Sequence, residues 1–355
     1  MTANSQSLTQ ILQAIFVDDS VTDVHLQSQA QIWVRNENGY QPLSQAVAYG
    51  VIEEFISDQI YEGEKVEDVL DALGGSDDFG FKVGRIHLRG AAFKASGGIN
   101  LILRRHPEVI LPWEALGLPQ IILDHANKPT GLDLMVGSLN SGKTTTLNAI
   151  IDHINRNQRR HILTLEDPIE VRHANILSRV SQREVGAGKD CESFEKGLQS
   201  SLRSDINVLL GGEIRNANTM RLLLEAAQTG QLAMATLHSN GAQETVSRVA
   251  NFFSGDDREE ALHILSQVLN IVVSQVRLRD KNKKIVIACE VMIPTMAIRE
   301  AIRKNNLNSI YQNMRGNKSD GHILLNESLI KLVKEDRITI EQARAASHSP
   351  DELSY

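Results

Sequence analysis

Hydrophobic residues recur along the chain in two patterns, one typical of helices and one typical of strands. Residues 8–16 carry apolar side chains at spacings of three and four, which predicts a helix, and a second helix is predicted over residues 51–60. Residues 24–34 and 79–104 alternate instead between apolar and polar positions, which predicts β-strands. Together these elements indicate a small α+β domain over residues 1–105.

The pattern breaks over residues 106–119, where three prolines interrupt it, and we predict an interdomain linker there. In the remaining domain, residues 120–355, short apolar runs alternate with helical stretches, which predicts a mainly parallel sheet with both faces covered. The predicted strands are Leu132–Val136, His161–Leu165, Asn207–Gly211, Leu232–Thr236 and Ile285–Ile293. A C-terminal helical region is predicted from about residue 295.

One apolar stripe in this domain has spacings of three and four residues. Its members are Leu262, Leu265, Leu269, Val272 and Val276. We interpret the stripe as core packing rather than as a docking face for a partner.

The first strand of this domain runs into the pattern G-x-x-x-x-G-K-T, which is typical of a phosphate-binding loop. The predicted nucleotide-binding residues here are Gly137, Ser138, Leu139, Asn140, Ser141, Gly142, Lys143, Thr144 and Thr145. Glycines let the backbone curl so that N–H groups point at phosphate oxygens, and the helix predicted over residues 144–157 adds its positive dipole end. Lys143 is expected to reach the β- and γ-phosphates, and the Thr144 hydroxyl to bind Mg²⁺.

The alternative interpretation of this loop is a Gly-Ser turn with a surface lysine. A strand before the loop and a helix after it favour the phosphate-binding interpretation. The sequence therefore predicts a nucleotide site, with ATP and Mg²⁺ as the cofactors.

Side chains suited to ATP hydrolysis follow three further predicted strands. Glu166 and Asp167 follow the second strand, Glu213 the third, and His238 the fourth. Because ligands of parallel sheets bind at the carboxyl ends of the strands, we expect Glu166 and Asp167 beside the phosphate loop. Glu213 is predicted to act as the general base, with Glu166 and His238 as further catalytic residues. Each residue taken alone is more typical of a helix cap or a solvated loop.

Composition narrows the class of protein. Hydrophobic residues make up 41% and charged residues 23%, as in ordinary globular proteins, and the net charge of −7 gives no general reason to bind nucleic acid. Two cysteines cannot build a disulfide framework or a four-cysteine zinc site. The N-terminus lacks the pattern of a signal peptide, and no apolar run is long enough to span a bilayer. We expect a cytoplasmic protein that, if it works at a membrane, acts from the cytoplasmic face as a peripheral partner.

The four stretches around these residues resemble the Walker A loop, Asp box, Walker B strand and His box of the type II/IV secretion ATPases. Their order and spacing are similar to the PilT branch, and the segment AIREAIRK at residues 297–304 resembles a helical motif of that branch. The segment TDVHLQ, residues 22–27, is similar to the N-terminal segment that leads into the family's PAS-like domain. The resemblance implies a PAS-like domain followed by a RecA-like P-loop ATPase domain.

The resemblance also implies a homo-hexameric ring with nucleotide between subunits, which works on an inner-membrane secretion or conjugation complex. Within the branch, the layout resembles most the DotB and TraJ ATPases of type IVB secretion and plasmid conjugation. A type IV pilus retraction motor is the alternative within the family.

Carried over by position, the resemblance makes Glu213 the catalytic glutamate, while Glu166 would order Mg²⁺ or water. It also implies that arginines of the N-terminal domain reach the nucleotide, often across a subunit boundary. Those arginines are Arg104, Arg89 and Arg85. The alternative interpretation is that these arginines are simply solvated on the face of a strand.

Four residues at three sites depart from the family pattern. Asn207 stands where the Walker B aspartate is usual, which implies that Mg²⁺ placement rests on Thr144 and on waters ordered by Glu166. Gln231 replaces the first His-box histidine, and Leu139–Asn140 replaces a common Thr-Gly pair. These departures predict slow turnover, or turnover only in an assembled machine.

Two functions outside the motor class stay open. A RecA-like DNA translocase would need a basic channel with aromatic stacking residues, and aromatic residues make up only 4% of this acidic chain. A non-hydrolysing, ATP-bound adaptor is favoured mainly by Asn207.

Overall fold

A computed structural model describes residues 5–36, 38–84, 86–96, 98–105, 110–186 and 188–353. Contacts divide the chain into two compact units. One unit is Met1–Val109 with Pro168–Val171, and the other is Ile110–Asp167 with Arg172–Tyr355.

The first unit is an antiparallel sheet with helices. Its elements are α1 (Ser5–Phe16), β1 (Asp23–Gln27), β2 (Gln31–Asn36), β3 (Gly39–Ala46), α2 (Val51–Gln59), α3 (Val66–Ala72), β4 (Ser76–Val83), β5 (Ile86–Ala95) and β6 (Gly98–Arg105). The six strands are ordered β3-β2-β1-β6-β5-β4. Alternate strand residues such as Val24 and Leu26 share one core with the apolar sides of the three helices. The predicted α+β organisation is confirmed.

The second unit carries the long sheet. Its elements up to the third strand of the unit are α4 (Trp113–Leu116), α5 (Gln120–Ala126), β7 (Gly131–Val136), α6 (Lys143–Asn157), β8 (His161–Glu166) and β9 (Arg179–Glu184). The elements that follow are α7 (Phe194–Ser201), β10 (Val208–Glu213), α8 (Ala217–Gln228), β11 (Leu232–Leu237), α9 (Ala242–Asn251), α10 (Gly255–Val268), β12 (Leu269–Arg279) and β13 (Ile285–Met292). The last four helices are α11 (Met296–Arg303), α12 (Leu307–Gly316), α13 (Leu325–Lys334) and α14 (Ile340–Ala346).

The sheet of the second unit has seven strands in the order β13-β12-β7-β11-β10-β8-β9. Every neighbouring pair is parallel except β12 and β13, which are antiparallel. The predicted mainly parallel sheet is therefore confirmed. Because the strands β7, β8, β10 and β11 run in one direction, the segments that follow them all emerge at one edge.

Both faces of this sheet are covered, and β7 lies near its middle. Leu134 and Val136 point into the core formed with α7 to α12, whereas Met135 points into the core formed with α4, α5 and α6. Alternating side chains of a strand point to opposite faces, so a strand buried on both sides has a continuous apolar sequence. A smaller core joins β13 to α13 and α14.

Two strands of this sheet were not predicted. β9 has the largely polar sequence RVSQRE at one edge of the sheet, so it shows little of the apolar pattern by which a buried strand is found. The apolar stripe from Leu262 to Val276 crosses from α10 into β12 at Leu269, although its spacing is helical throughout. Its role in core packing is confirmed, since Leu262, Leu265 and Leu269 are buried.

Candidate active site

The loop between β7 and α6 requires three unusual backbone conformations. Gly137 has φ +142°, and a Cβ atom there would lie 2.5 Å from the carbonyl oxygen of Gln275, so only glycine fits. Gly142, directly before α6, has φ +96°. Asn140 has φ +62°, in the left-handed region that asparagine adopts more readily than most other non-glycine residues. The exchange of the family's common glycine for Asn140 is therefore compatible with this loop.

Lys143 lies in the concave side of this loop. Its Nζ donates hydrogen bonds of 2.9 Å to the carbonyl oxygens of both Gly137 and Ser138. Burial lowers the pKa of Lys143, and the negative charge of Glu213 opposes this shift. Glu213 is therefore near enough to act on the lysine through its charge.

The Glu213 carboxylate is held from both sides at the end of β10. Its Oε2 accepts hydrogen bonds from Nε (3.0 Å) and Nη2 (2.8 Å) of Arg215. Its Oε1 lies 3.3 Å from Nε2 of His238, which follows β11. Contact with Glu213 raises the pKa of Arg215. The structure thus brings together Glu213 and His238, as predicted, and adds Arg215 as a direct partner.

Strand register fixes the distance between Glu213 and the phosphate loop. Both Glu213 and Met135 pair with Thr236 of the intervening strand β11. Neighbouring strands lie about 4.8 Å apart, so the backbones at Glu213 and Met135 are separated by about 10 Å. The end of β10 therefore lies close to the start of the phosphate loop.

Glu166 lies at the same edge of the sheet but farther from the loop. Its strand, β8, is separated from β7 by both β10 and β11, so Glu166 and Asp167 do not follow a strand that borders β7, and their contact with the phosphate-loop site stays a prediction. Glu166 is buried, and its Oε1 accepts hydrogen bonds from Thr164 Oγ1 (2.6 Å) and Gln182 Nε2 (3.0 Å).

Asn207 and Gln231 lie at the opposite edge of the sheet. Asn207 precedes β10, and its Oδ1 accepts a 2.8 Å hydrogen bond from the N–H of His161 at the start of β8. Gln231 precedes β11, and its Nε2 donates to the carbonyl oxygen of Ser201. The strand rises about 3.3 Å per residue, so Asn207 is about 20 Å from Glu213. The prediction that Asn207 affects Mg²⁺ placement is therefore wrong.

The arginines predicted to contact nucleotide lie in the first unit. Arg104 donates from Nε to Asp23 Oδ1 at 2.6 Å, and Arg89 donates from Nη2 to Asp78 Oδ2 at 2.8 Å. Arg85 lies outside the described residues. The structure thus gives Arg104 and Arg89 acidic partners in their own unit, and their nucleotide contacts stay a prediction.

Two residues beside the loop were missed by the sequence analysis. Gln275 of β12 donates from Nε2 to Thr146 Oγ1 at 2.8 Å, while its carbonyl oxygen lies against Gly137. Ile287 of β13 lies with its Cδ1 3.5 Å from the Cβ position of Gly142. Gln275 and Ile287 belong to β12 and β13, which lie on the side of β7 away from Glu213. Of these two strands, β12 was not predicted.

A phosphate-type loop at the carboxyl end of β7, with an acidic residue two strands away, defines a RecA-like P-loop domain. Residues 84–348 match the sequence profile of the family described as "Type II/IV secretion system protein". The chain belongs to this family.

The chain is also similar to individual members across nearly its whole length. It is 33% identical over 350 residues to the type IV pilus retraction ATPase PilT of Pseudomonas aeruginosa, covering 97% of this chain and 99% of that protein. It matches the crystal structure of the pilus retraction motor PilT with bound ADP at a TM-score of 0.87 and 34% identity, covering 98% of each chain. The Legionella pneumophila ATPase DotB shares the fold at a TM-score of 0.81 and 21% identity, covering 97% of this chain and 96% of that one.

Proposed function

We propose that this chain is a Mg²⁺-dependent ATPase that assembles into a ring of six copies, as the family resemblance implies, and drives a membrane-anchored machine. The observation that carries the proposal is the strand register, which places Glu213 at the end of β10 level with Met135, just before the phosphate loop. The ADP bound to the similar PilT structure supports a nucleotide at this loop.

In the proposed reaction, the backbone N–H groups of the loop and the start of α6 bind the phosphates. Lys143 turns its Nζ from the carbonyls of Gly137 and Ser138 to the terminal phosphate oxygens. Glu213 accepts a proton from the attacking water at a carboxylate oxygen, as a general base. His238 and Arg215 orient that carboxylate, which fixes the direction of the proton transfer.

The side chains of the site fit Mg²⁺ held together with a nucleotide. Among the described residues, no group of three or more His, Cys, Asp or Glu side chains forms a metal cage. Mg²⁺ commonly binds through one or two protein ligands, waters and substrate phosphates, so no such cage is required. Thr144 at the start of α6 would hold the ion, with Glu213 and Glu166 ordering its waters. The ion would supply positive charge against the phosphates.

A cavity of about 510 Å³ on the other side of the loop is suited to the nucleobase. Its lining includes Leu116, Gly117, Ile287 and Ile323, with Lys331 and Arg337 at its polar side. Ile287 contacts the Cβ position of Gly142, so the cavity adjoins the loop. We propose that the base lies here, on the side of β7 away from Glu213.

The assembled ring would complete the site with arginines from a neighbouring copy. Arg104 and Arg89 are the described candidates, and each is oriented by an acidic partner in its own unit. An arginine supplied across a boundary can accelerate phosphoryl transfer by ~10³–10⁵-fold. Hydrolysis would then rotate the first unit of one copy against the second unit of its neighbour.

Two machines fit this motor, and pilus retraction is favoured. Identity to PilT is 33% over almost the whole of both chains, whereas DotB at 21% identity shows likeness of fold alone. Type IV secretion or conjugation, the preference drawn from motif layout, is the second candidate. Deletion of the gene in its own host separates the two. Loss of fibre retraction supports the first candidate, and loss of plasmid or protein transfer supports the second.

Phosphate release from ATP tests the chemistry. We expect the wild type to release phosphate with a rate per subunit that rises with protein concentration as rings form. Glu213→Gln is expected to lower kcat by about 10²–10³-fold while nucleotide still binds, and Lys143→Ala to weaken nucleotide binding as well. Equal, near-zero rates for the wild type and Glu213→Gln would support an adaptor instead. A rate independent of ring assembly contradicts a site shared between copies, and stimulation by DNA would favour a translocase.

A further inference from the structure

The carboxylate of Glu290, on β13, connects the starts of two helices. Its Oε1 accepts a 2.7 Å hydrogen bond from the N–H of Ala242, the first residue of α9. The N–H of Leu325, the first residue of α13, also acts on this carboxylate and lowers its pKa. The N-terminus of a helix favours a negative charge. A single carboxylate therefore lies at the starts of both helices and caps the first of them.

The first of these helices begins directly after the loop that carries His238. Gly241, at the end of that loop, has φ +121°, and a Cβ atom there would lie 3.0 Å from Oε1 of Glu290. Along the sheet, Glu290 pairs with Ser274, and Ser274 pairs with Val136, the last residue before the phosphate loop. Glu290 thus lies level with the candidate active site.

Burial raises the pKa of Glu290, and the N–H groups of Ala242 and Leu325 oppose this shift. A buried carboxylate is costly unless hydrogen-bond donors compensate for the lost water. If either helix start moved away, the buried carboxylate would lose an N–H group that compensates for the lost water. The positions of α9 and α13 therefore depend on each other through one side chain.

We propose that Glu290 is a positioning residue that couples the His238 loop to the N-terminus of α13. The inference rests on the proposed ATPase function and adds a route from the active site to the C-terminal helices. Movement of His238 with bound nucleotide displaces Ala242, and the shared carboxylate transmits that displacement to Leu325. Because α13 packs against β13 and α14 in its own small core, the C-terminal helices receive the signal.

Two neighbouring carboxylates provide matched controls, since each accepts a hydrogen bond from the N–H of a residue just before its own helix. Glu244 accepts a 2.8 Å hydrogen bond from the N–H of Asn240, within the His238 loop and its own helix. Glu327 accepts from the N–H of Leu324 at 3.4 Å, at the start of α13. Neither bond joins the two helices.

The test compares hydrogen–deuterium exchange with and without Mg²⁺-pyrophosphate, together with steady-state ATPase kinetics. Pyrophosphate can fill the phosphate loop without placing a base in the cavity that α13 lines. The proteins are the full-length wild type, Glu290→Ala, Glu290→Gln, Glu244→Ala and Glu327→Ala. In the wild type we expect pyrophosphate to slow exchange in residues 238–246 and in residues 325–334. Glu290→Ala should keep the response of the loop, lose that of α13, and bind pyrophosphate with a Kd within about twofold of the wild type.

The kinetic expectation is a split between kcat and KM. Glu290→Ala should lower kcat by about tenfold with little change in KM, because the catalytic histidine is misplaced while the phosphate loop is intact. Glu290→Gln should recover part of this loss, since the amide oxygen still accepts a hydrogen bond. Both control variants should retain the pyrophosphate response of α13.

An α13 response that persists in Glu290→Ala, or that is missing in the wild type, overturns the coupling. A kcat equal to that of the wild type overturns the positioning role. A wild type that binds pyrophosphate but does not hydrolyse ATP refutes the proposed function, and the exchange data still decide the coupling. If Glu290→Ala does not fold, Glu290→Gln takes its place in the test. An exchange response and a kcat equal to those of the wild type in Glu290→Gln would then overturn the inference.

Discussion

The imidazole of His238 and the carboxylate of Glu213 approach to 3.3 Å at the ends of two adjacent parallel strands. Residues in contact that serve one reaction show non-additive effects when both are replaced. This contact therefore makes a quantitative prediction about a pair of substitutions.

We expect His238→Ala to lower kcat by roughly tenfold with little change in nucleotide affinity, because Glu213 loses one of its orienting partners. In the double variant with Glu213→Gln, the histidine substitution should have almost no further effect. Steady-state ATPase rates for the four proteins of this cycle measure the interaction. Fully additive losses would mean that His238 acts independently of Glu213.

Replacing Asn207 with aspartate should leave turnover unchanged. The side chain lies at the start of β10, about 20 Å from Glu213, and an aspartate can still accept the hydrogen bond from His161. We expect kcat and the Mg²⁺ dependence of Asn207→Asp to match the wild type within about twofold. A marked acceleration would show that this position acts on the reaction.

The left-handed conformation of Asn140 predicts opposite outcomes for two small residues. Glycine adopts φ +62° freely, whereas alanine is strained there by about 1 kcal/mol. Asn140→Gly should keep nucleotide affinity, and Asn140→Ala should weaken it by about fivefold. Titration with a fluorescent nucleotide analogue measures both. Equal weakening in the two variants would indicate that the asparagine side chain itself contacts the nucleotide.

Asp133, in the strand that leads to the phosphate loop, should make stability depend on pH. Burial raises its pKa to about 7, while a hydrogen bond from Asn270 and the charge of Lys128 oppose the shift. The folded protein then binds this proton more tightly than the unfolded chain does. The side chain therefore favours folding at low pH, and this contribution is lost as the pH rises towards 7.

Asparagine stays neutral at every pH, so Asp133→Asn should remove this dependence. We compare the free energy of unfolding of the variant with that of the wild type. The difference, variant minus wild type, should increase between about pH 4 and 7 by at most about 1.4 kcal/mol per pH unit, and should then stay constant. Urea unfolding at several pH values provides the measurement, with the exposed Asp124→Asn as control. A difference in unfolding free energy between Asp133→Asn and the wild type that does not change with pH would contradict the prediction.

Much of the second unit could be predicted from local sequence. β7, β8, β10 and β11 are apolar because both faces of the sheet are covered, and each has a helix before the next, so their positions differ from the prediction by only a residue or two. The phosphate loop was found because its backbone conformation demands glycine at Gly137 and Gly142.

Strand order could not be predicted in the same way, since it depends on contacts between residues that are distant in the chain. The Asp-box strand follows the phosphate loop in sequence, yet two other strands lie between them. For the same reason, the partnership of Glu213 with His238 could be expected, but the roles of Gln275, Ile287 and Glu290 could not. These three residues lie on β12 and β13, and the helical spacing across Leu269 obscured the start of β12.

The placement of Asn207 and Gln231 at the starts of their strands changes how variation in this chain should be judged. Both side chains form hydrogen bonds that join the starts of their strands to neighbouring backbone, so we expect exchanges there to act on the folding of the sheet and not on the proposed reaction. A departure from the family motif at this edge is therefore not evidence against the proposed ATPase activity. Whether that activity has been kept is better judged from the opposite edge, which carries Lys143, Glu213 and His238.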